Sequence, residues 1–327
     1  PPIPIPAPPP IDFESIRADL QANGQDLAFV KIGFHAGLEL TTGLTVTLAQ
    51  LDAAGVPFFL KTVDNAQPVY IAQELMKSSG VSHTLVYRKS GLGWDLPNYD
   101  ASPQEAALNH WNQHRDAFPP ELDPSLVWIE TVNEVDKNRS EWLAEFALET
   151  AQLALDDGFR WAAFGWSSGE PEPEHWDSPK MLEFLQLAAD NPDRIAIALH
   201  EYSYVTGDIG RWYPALVGRF QALFQICDQH RIPRPTVLIT EWGWTNSNIP
   251  SVSAAMDDIA WASWLYAAYP QVKGAAIWYL GPGYGDIARQ VEQLIVPWGE
   301  YARSNYFIIE QGQGQIDPEL FRPQYIR

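Results

Sequence analysis

Eight times along this chain a short run of apolar, β-prone residues is followed by a polar loop and then a helix-like segment. The runs span 27–33, 57–61, 84–88, 126–133, 161–165, 195–200, 236–241 and 274–280. The segments that follow include 45–54, 71–77, 103–118, 140–156, 181–190, 213–230, 252–269 and 286–296. A strand with one face in water alternates apolar and polar residues. These runs are almost continuously apolar, as expected of parallel strands covered on both faces. Eight β-then-α units in roughly 300 residues describe an α/β fold, a single-domain (β/α)8 TIM barrel. The other arrangement open to such units is a doubly wound sheet, which usually has fewer strands and a phosphate-type first turn. The first turn here, Gly33-Phe34-His35-Ala36-Gly37, is not one.

Charge narrows the partners. The 327 residues carry 41 acidic and 21 basic side chains, a formal charge of −20. Phosphate recognition needs a basic face, so nucleic acid is excluded as a partner, and an anionic membrane surface fits no better. No apolar run reaches the roughly 18 residues of a membrane span. A neutral or cationic ligand suits the balance. Cys227 is the single cysteine, so no intrachain disulfide forms and the redox compartment stays open. Residues 1–10 hold seven prolines and read as a stiff tail or linker. No signal-like stretch is present, but such a linker suits a tether to another module and favours an exported protein, with cytoplasmic residence left open. Residues 11–308 then form the barrel, and 309–327 a C-terminal tail packed on it or extending from it.

Catalytic groups of such barrels lie at the carboxyl ends of the strands. His35 follows the first run; Lys61, Asp64 and Asn65 end the second; Arg88 ends the third. Asn133 and Glu134 end the fourth, and Trp166 the fifth. His200, Glu201, Tyr202 and Tyr204 end the sixth, Glu241, Trp242 and Trp244 the seventh, Trp278 and Tyr279 the eighth. A glutamate at a helix N-terminus can simply suit the helix dipole. Two glutamates, Glu134 and Glu241, from separate strands in aromatic surroundings point instead to chemistry. Cleavage of a glycosidic bond needs one protonated carboxyl for the leaving oxygen and one ionised carboxylate to attack the sugar or activate water.

These residues resemble the clan A glycoside hydrolases, retaining enzymes on a (β/α)8 barrel, in the style of families 39 and 5. The likeness covers about residues 11–308 and rests on Glu130 with Asn133-Glu134, His200-Glu201-Tyr202, Glu241 before Trp242-Gly243-Trp244, and Trp278. It implies Glu134 as acid/base and Glu241 as nucleophile. It further implies Asn133 on the sugar 2-hydroxyl, Tyr202 beside the nucleophile, His200 near the acid/base and Trp278 under the sugar. The pattern departs at Val135 and Val132, which replace a proline and an aromatic around Asn-Glu. Arg88 stands where a histidine is usual, and Lys61 is the nearest basic residue on the second strand. The implied activity is retaining hydrolysis of a neutral β-1,4-linked glucan, mannan or xylan, without metal or organic cofactor. A transglycosylase with the same intermediate, or an inactive carbohydrate-binding barrel, are the rival readings.

Two roles for two glutamates require different pKa values. Glu241 should be ionised, held by Arg88 or Lys61, and Glu134 should be raised by burial and by its partner's charge. The two carboxyl groups should stand about 5–5.5 Å apart. Glu130, deeper in its run, reads either as a support behind the site or as a buried partner of Arg88. Of the 14 tryptophans, Trp278 and Trp244 are the expected sugar contacts, with Trp166 at the same rim. His110 and His114 share a helix face, but Trp111 replaces a metalloprotease glutamate, so they read as a surface pair. His175 among Glu170, Glu172 and Glu174 reads as an acidic loop, and Gly281-Pro282-Gly283-Tyr284-Gly285 as a turn.

Overall fold

The computed structural model describes residues 11–37, 42–317 and 320–321; the proline-rich segment 1–10 lies outside them. Eight parallel strands close into a barrel in chain order: β2 (Ile32–Ala36), β3 (Phe59–Val63), β4 (Thr84–Arg88), β5 (Val127–Glu130), β6 (Arg160–Trp166), β7 (Ile195–Tyr202), β8 (Thr236–Gly243) and β9 (Val272–Leu280). Helices α2 (Thr42–Ala53), α3 (Gln67–Ser79), α4 (Pro103–Asp116), α5 (Ser140–Asp156), α6 (Pro179–Asp190), α7 (Phe220–His230) and α8 (Val252–Ala267) alternate with them, and α9 (Ile287–Glu292) and α10 (Ile295–Ser304) follow β9. This is a (β/α)8 barrel. Serines at 102, 178 and 251 cap α4, α6 and α8, each accepting a backbone N–H three residues on.

The first run is two strands rather than one. Residues Gln25–Phe29 form β1, which pairs antiparallel with β10 (Tyr306–Glu310) outside the barrel, and only Ile32–Ala36 enters the closed sheet. Both halves are apolar because both are covered, so hydropathy alone cannot show the break. Lys31 marks the corner, its Nζ donating to the carbonyls of Tyr266 and Tyr269 at 2.9 and 2.7 Å. Strand β10 runs across residue 308, where the sequence suggests that the barrel ends. After it the chain stays on the body: Arg234 donates to the carbonyls of Gln313 and Gly314, and Tyr269 to that of Gln315.

The barrel interior is graded. One buried cluster joins Phe59, Val86, Trp128, Ala162, Ala196, Ala198, Leu238 and Ala276, two large rings facing four alanines. Layers of inward side chains fill such a barrel only when large and small residues interdigitate. At Gly33 a Cβ would stand 1.8 Å from the Phe59 carbonyl oxygen, so no other residue fits between β2 and β3 there. Toward the carboxyl ends of the strands this apolar layer gives way to Lys61, Glu130, His35, His200 and Glu241, all buried.

Candidate active site

An unbroken strand sends successive side chains to opposite faces. Strand β8 breaks that rule: its register against β7 shifts between Leu199 and His200, and against β9 between Ile239 and Trp242. In consequence both Thr240 and Glu241 reach groups inside the barrel. Thr240 Oγ1 donates to Glu130 Oε1 at 2.6 Å, and Glu241 meets the cations of β3 and β4. Such irregularities re-aim side chains next to active sites.

Glu241 is 7% exposed. The Tyr202 hydroxyl donates to its Oε2 at 2.7 Å. Its Oε1 lies 3.5 Å from Lys61 Nζ, 3.9 Å from Arg88 NH2 and 3.9 Å from His35 Nδ1. Burial alone would raise its pKa, but His200, Lys61, His35 and Arg88 together outweigh burial and hold the carboxyl far below the usual range. His35 is itself held well below 6.5, by burial first and then by Lys61. It is therefore neutral, and the lasting cationic support comes from Lys61 and Arg88. Glu130 lies beneath, fully buried, with Oε2 2.5 Å from Lys61 Nζ and 3.9 Å from Arg88 Nε. Its principal partner is Lys61; Arg88 turns outward to Asp95 at 3.1 Å.

Glu134 leaves β5 on a left-handed residue, φ 49°, its N–H donating to the Gly165 carbonyl at 2.7 Å. The neighbouring Asn133 N–H donates to the Asp95 carbonyl at 2.8 Å. Gly165 permits this crossing: a Cβ there would meet the Val132 carbonyl at 2.9 Å. His200 lies between the two glutamates, its Nδ1 3.5 Å from Glu134 Oε1 and 3.6 Å from Glu241 Oε2. Laid end to end these contacts cap the separation of those two oxygens at about 7.1 Å. The pKa of Glu134 corrects the expectation. It is lowered, because the approach of His200, its Nδ1 3.5 Å away, comes first, ahead of burial, and Glu241's charge opposes it least. The side chain is 50% exposed, so desolvation is too weak to raise it in the open cleft.

A cleft of about 550 Å³ opens over the pair, lined by Arg88, Asn133, Glu134, Tyr202, Glu241 and Trp278, with Tyr204, Thr245, Asn246 and Tyr284. Asn133 Oδ1 is buried there without a hydrogen-bond partner among the described residues. Trp278 stands edge-on to Tyr202 at 6.3 Å and to Tyr284 at 4.6 Å; the peptide that follows it is cis. Lys61, His35 and His200 lie under this surface rather than on it.

Two expected contacts fall elsewhere. Trp244 is 1% exposed, and its Nε1 donates to Asp258 on α8 at 2.7 Å. Trp166 is fully buried against Phe164 and Trp176. Each points into the layer between strands and helices, the side opposite the barrel interior. His110 and His114 are also not a surface pair. Both are buried, and their Nε2–H groups donate to the carbonyls of Thr131 and Trp94, tying α4 to the segments that carry Asn133 and Asp95. Glu201 faces outward from β7 and accepts from Gly218 N, Phe220 N and the Tyr266 hydroxyl; burial nevertheless pushes its pKa up to about 7. The loop at Glu170 and Glu172 is neutralised by Lys137 and Arg219. Tyr204, at the end of the sixth run, and Tyr284 are both more than half exposed on the cleft, and Tyr284 is the one that strand ends alone do not single out. The hint for Tyr284 is its place in the glycine-rich turn after β9.

No family model matches the chain, and no curated protein matches it. Among solved structures it is similar to XacCel5A at 13% identity and a TM-score of 0.44, over 84% of this chain and 99% of that one. It is similar to a tri-modular GH5 (subfamily 4) endo-β-1,4-glucanase from Bacillus licheniformis at 13% and 0.44, over 77% of this chain and 54% of that one. The YdjI aldolase from Escherichia coli K12 is similar at 10% and 0.37, over 90% and 91%.

Proposed function

We propose that this chain is a retaining β-glycoside hydrolase of the clan A type, acting on a neutral β-1,4-linked glucan, mannan or xylan. One observation supports the reading above the others: two glutamates, one just past β5 and one on β8, three places apart around a closed barrel, flank one buried histidine in unequal surroundings. Glu241, ionised and fixed by Tyr202, attacks the anomeric carbon. Glu134, half open to the cleft, gives its proton to the leaving oxygen. Its lowered pKa suits the free enzyme. A sugar filling the cleft expels water from its exposed side, which raises the pKa and favours the acid form. Once Glu241 is glycosylated its charge is gone, and Glu134 takes a proton from the water that completes the reaction. Asn133 Oδ1 accepts from the 2-hydroxyl, which would fill its open hydrogen bond. Trp278 supplies the flat apolar face that a pyranose needs.

A polymeric substrate accords with export and with a tether at residues 1–10. The test is a panel of β-glucans, mannans and xylans assayed for reducing ends, with the first-formed anomer read by proton NMR. Release of the β-anomer from a β-linked substrate is the expected result. Sugar release as the α-anomer refutes retention. Tight binding of a polysaccharide without any release makes the barrel a carbohydrate-binding module, and products longer than the substrate make it a transglycosylase.

A further inference from the structure

Glu130 is four residues before Glu134 on the same segment, yet its carboxylate is spent entirely inside the barrel. Oε1 accepts from Thr240, the residue next to Glu241, at 2.6 Å. Oε2 sits 2.5 Å from Lys61 Nζ. The same Nζ stands 3.5 Å from Glu241 Oε1, a full ångström farther. Lys61 and Glu130 are both inaccessible to solvent, so neither can exchange its partner for water. The other titratable or charged groups facing this cluster are His35 on β2, Arg88 on β4, His200 on β7 and Glu241 on β8, with Asp95 beyond Arg88.

Resting on the reading of Glu241 as nucleophile, we propose that Glu130 is a positioning residue: it pins the Lys61 ammonium below Glu241 and holds it off at 3.5 Å, so that the cation keeps the nucleophile ionised without closing on it as a tight ion pair. A carboxylate in a short pair with an ammonium is a weaker nucleophile, because the lone pairs it must offer the anomeric carbon are already engaged. The burial that makes the Lys61–Glu130 pair costly to form also makes it costly to break. Glu130's own pKa agrees with this arrangement: burial would raise it, but Lys61 and Arg88 hold it below the ordinary glutamate range.

The test is a double-mutant cycle with two readouts. The first is the single-turnover glycosylation rate with 2,4-dinitrophenyl β-cellobioside. The second is the titration of Glu241, followed by carbon-13 NMR of protein labelled at glutamate Cδ and assigned through Glu241→Gln. Glu130→Gln keeps an acceptor for Thr240 but frees Lys61. Glycosylation should slow by about 10-fold or more, with Glu241 titrating no higher than in the wild type. Adding Lys61→Met should restore part of that rate and move the Glu241 titration up by about one pH unit or more. A purely structural role predicts instead a lower Tm with no such recovery. Wild-type glycosylation in folded Glu130→Gln, or a loss that Lys61→Met deepens, overturns the proposal. If the wild type turns over none of the 2,4-dinitrophenyl β-glycosides of cellobiose, mannobiose and xylobiose and releases no sugar from the polysaccharide panel, the hydrolase reading fails and the titrations decide alone: the same Glu241 titration in Glu130→Gln and the double variant refutes the brace. If Glu130→Gln does not fold, the double variant, which loses both charges of the buried pair together, is compared with the wild type, and an unchanged Glu241 titration again refutes it.

Discussion

Glu134 and Glu241 are alike in sequence and opposite in setting. Glu241 is sealed and cation-bound; Glu134 is half open. Their substitutions should therefore fail differently. Glu241→Gln should lower turnover by roughly 10⁴-fold or more on every substrate, while circular dichroism shows an intact barrel; activity within a few-fold of wild type would remove Glu241 from the mechanism. Glu134→Ala should cost about 10²–10⁴-fold on poor leaving groups and far less on dinitrophenyl glycosides, whose departure needs little protonation. Azide should then speed turnover by replacing the activated water. Equal losses on both substrate types, with no azide effect, would count against Glu134. The tryptophans divide in the same manner. Trp278→Ala should raise KM with little change in Tm, because its ring faces the cleft. Trp244→Phe should do the reverse, since it breaks a buried bond to a carboxylate worth about 1.5–3 kcal/mol and leaves the cleft untouched.

At the level of elements, α4 is a brace for the site rather than a surface helix. His110 and His114 are buried and neutral, with pKa values pushed down by burial to about 4 and about 3. In the unfolded chain a histidine titrates near 6.5. Between pH 6.5 and 4 the unfolded state therefore binds more protons, and stability must fall as pH falls through that window. For His110 the gap amounts to about 3 kcal/mol at the acid end. His110→Gln keeps a donor for the Thr131 carbonyl but cannot titrate. Urea unfolding at pH 7 and pH 4.5 should show a smaller loss in the variant than in the wild type. An identical loss in both would mean that His110 does not titrate on unfolding.

Across the whole molecule, 41 acidic against 21 basic side chains leave a surplus of 20 negative charges. Net charge of that size repels itself in the compact state, and exposed charges are screened by salt over about 10 Å at 0.1 M. The Tm at pH 8 should accordingly rise as sodium chloride goes from about 10 to 300 mM. The charged cluster under the cleft should not follow that trend. Its Lys61–Glu130–Glu241 contacts are buried, where screening is weak. A Tm that falls with salt would show that surface ion pairs such as Lys180–Glu183 outweigh the general repulsion.

Eight continuous apolar runs, each followed by a helix-like stretch, leave a chain little choice but a closed parallel barrel, and chain order already assigns Glu134 and Glu241 to strand ends on one face. That much was decided locally, because burial on both sides of a strand is written in hydropathy. What hydropathy cannot carry is direction and partnership. Trp244 lies three residues past Glu241, an odd step that turns it to the opposite face and onto Asp258 of α8; that Glu241 itself faces the cleft was settled by the register shift of β8 that brings both Thr240 and Glu241 inside the barrel. The 27–33 run divides between two sheets because β10, nearly three hundred residues later, covers its first half. His110 and His114 are buried by the loops they hold, and Glu130 takes Lys61 rather than Arg88 as its principal partner only once the ring has closed. Each of these depends on contacts between residues far apart in the chain, and such contacts exist only after the barrel does.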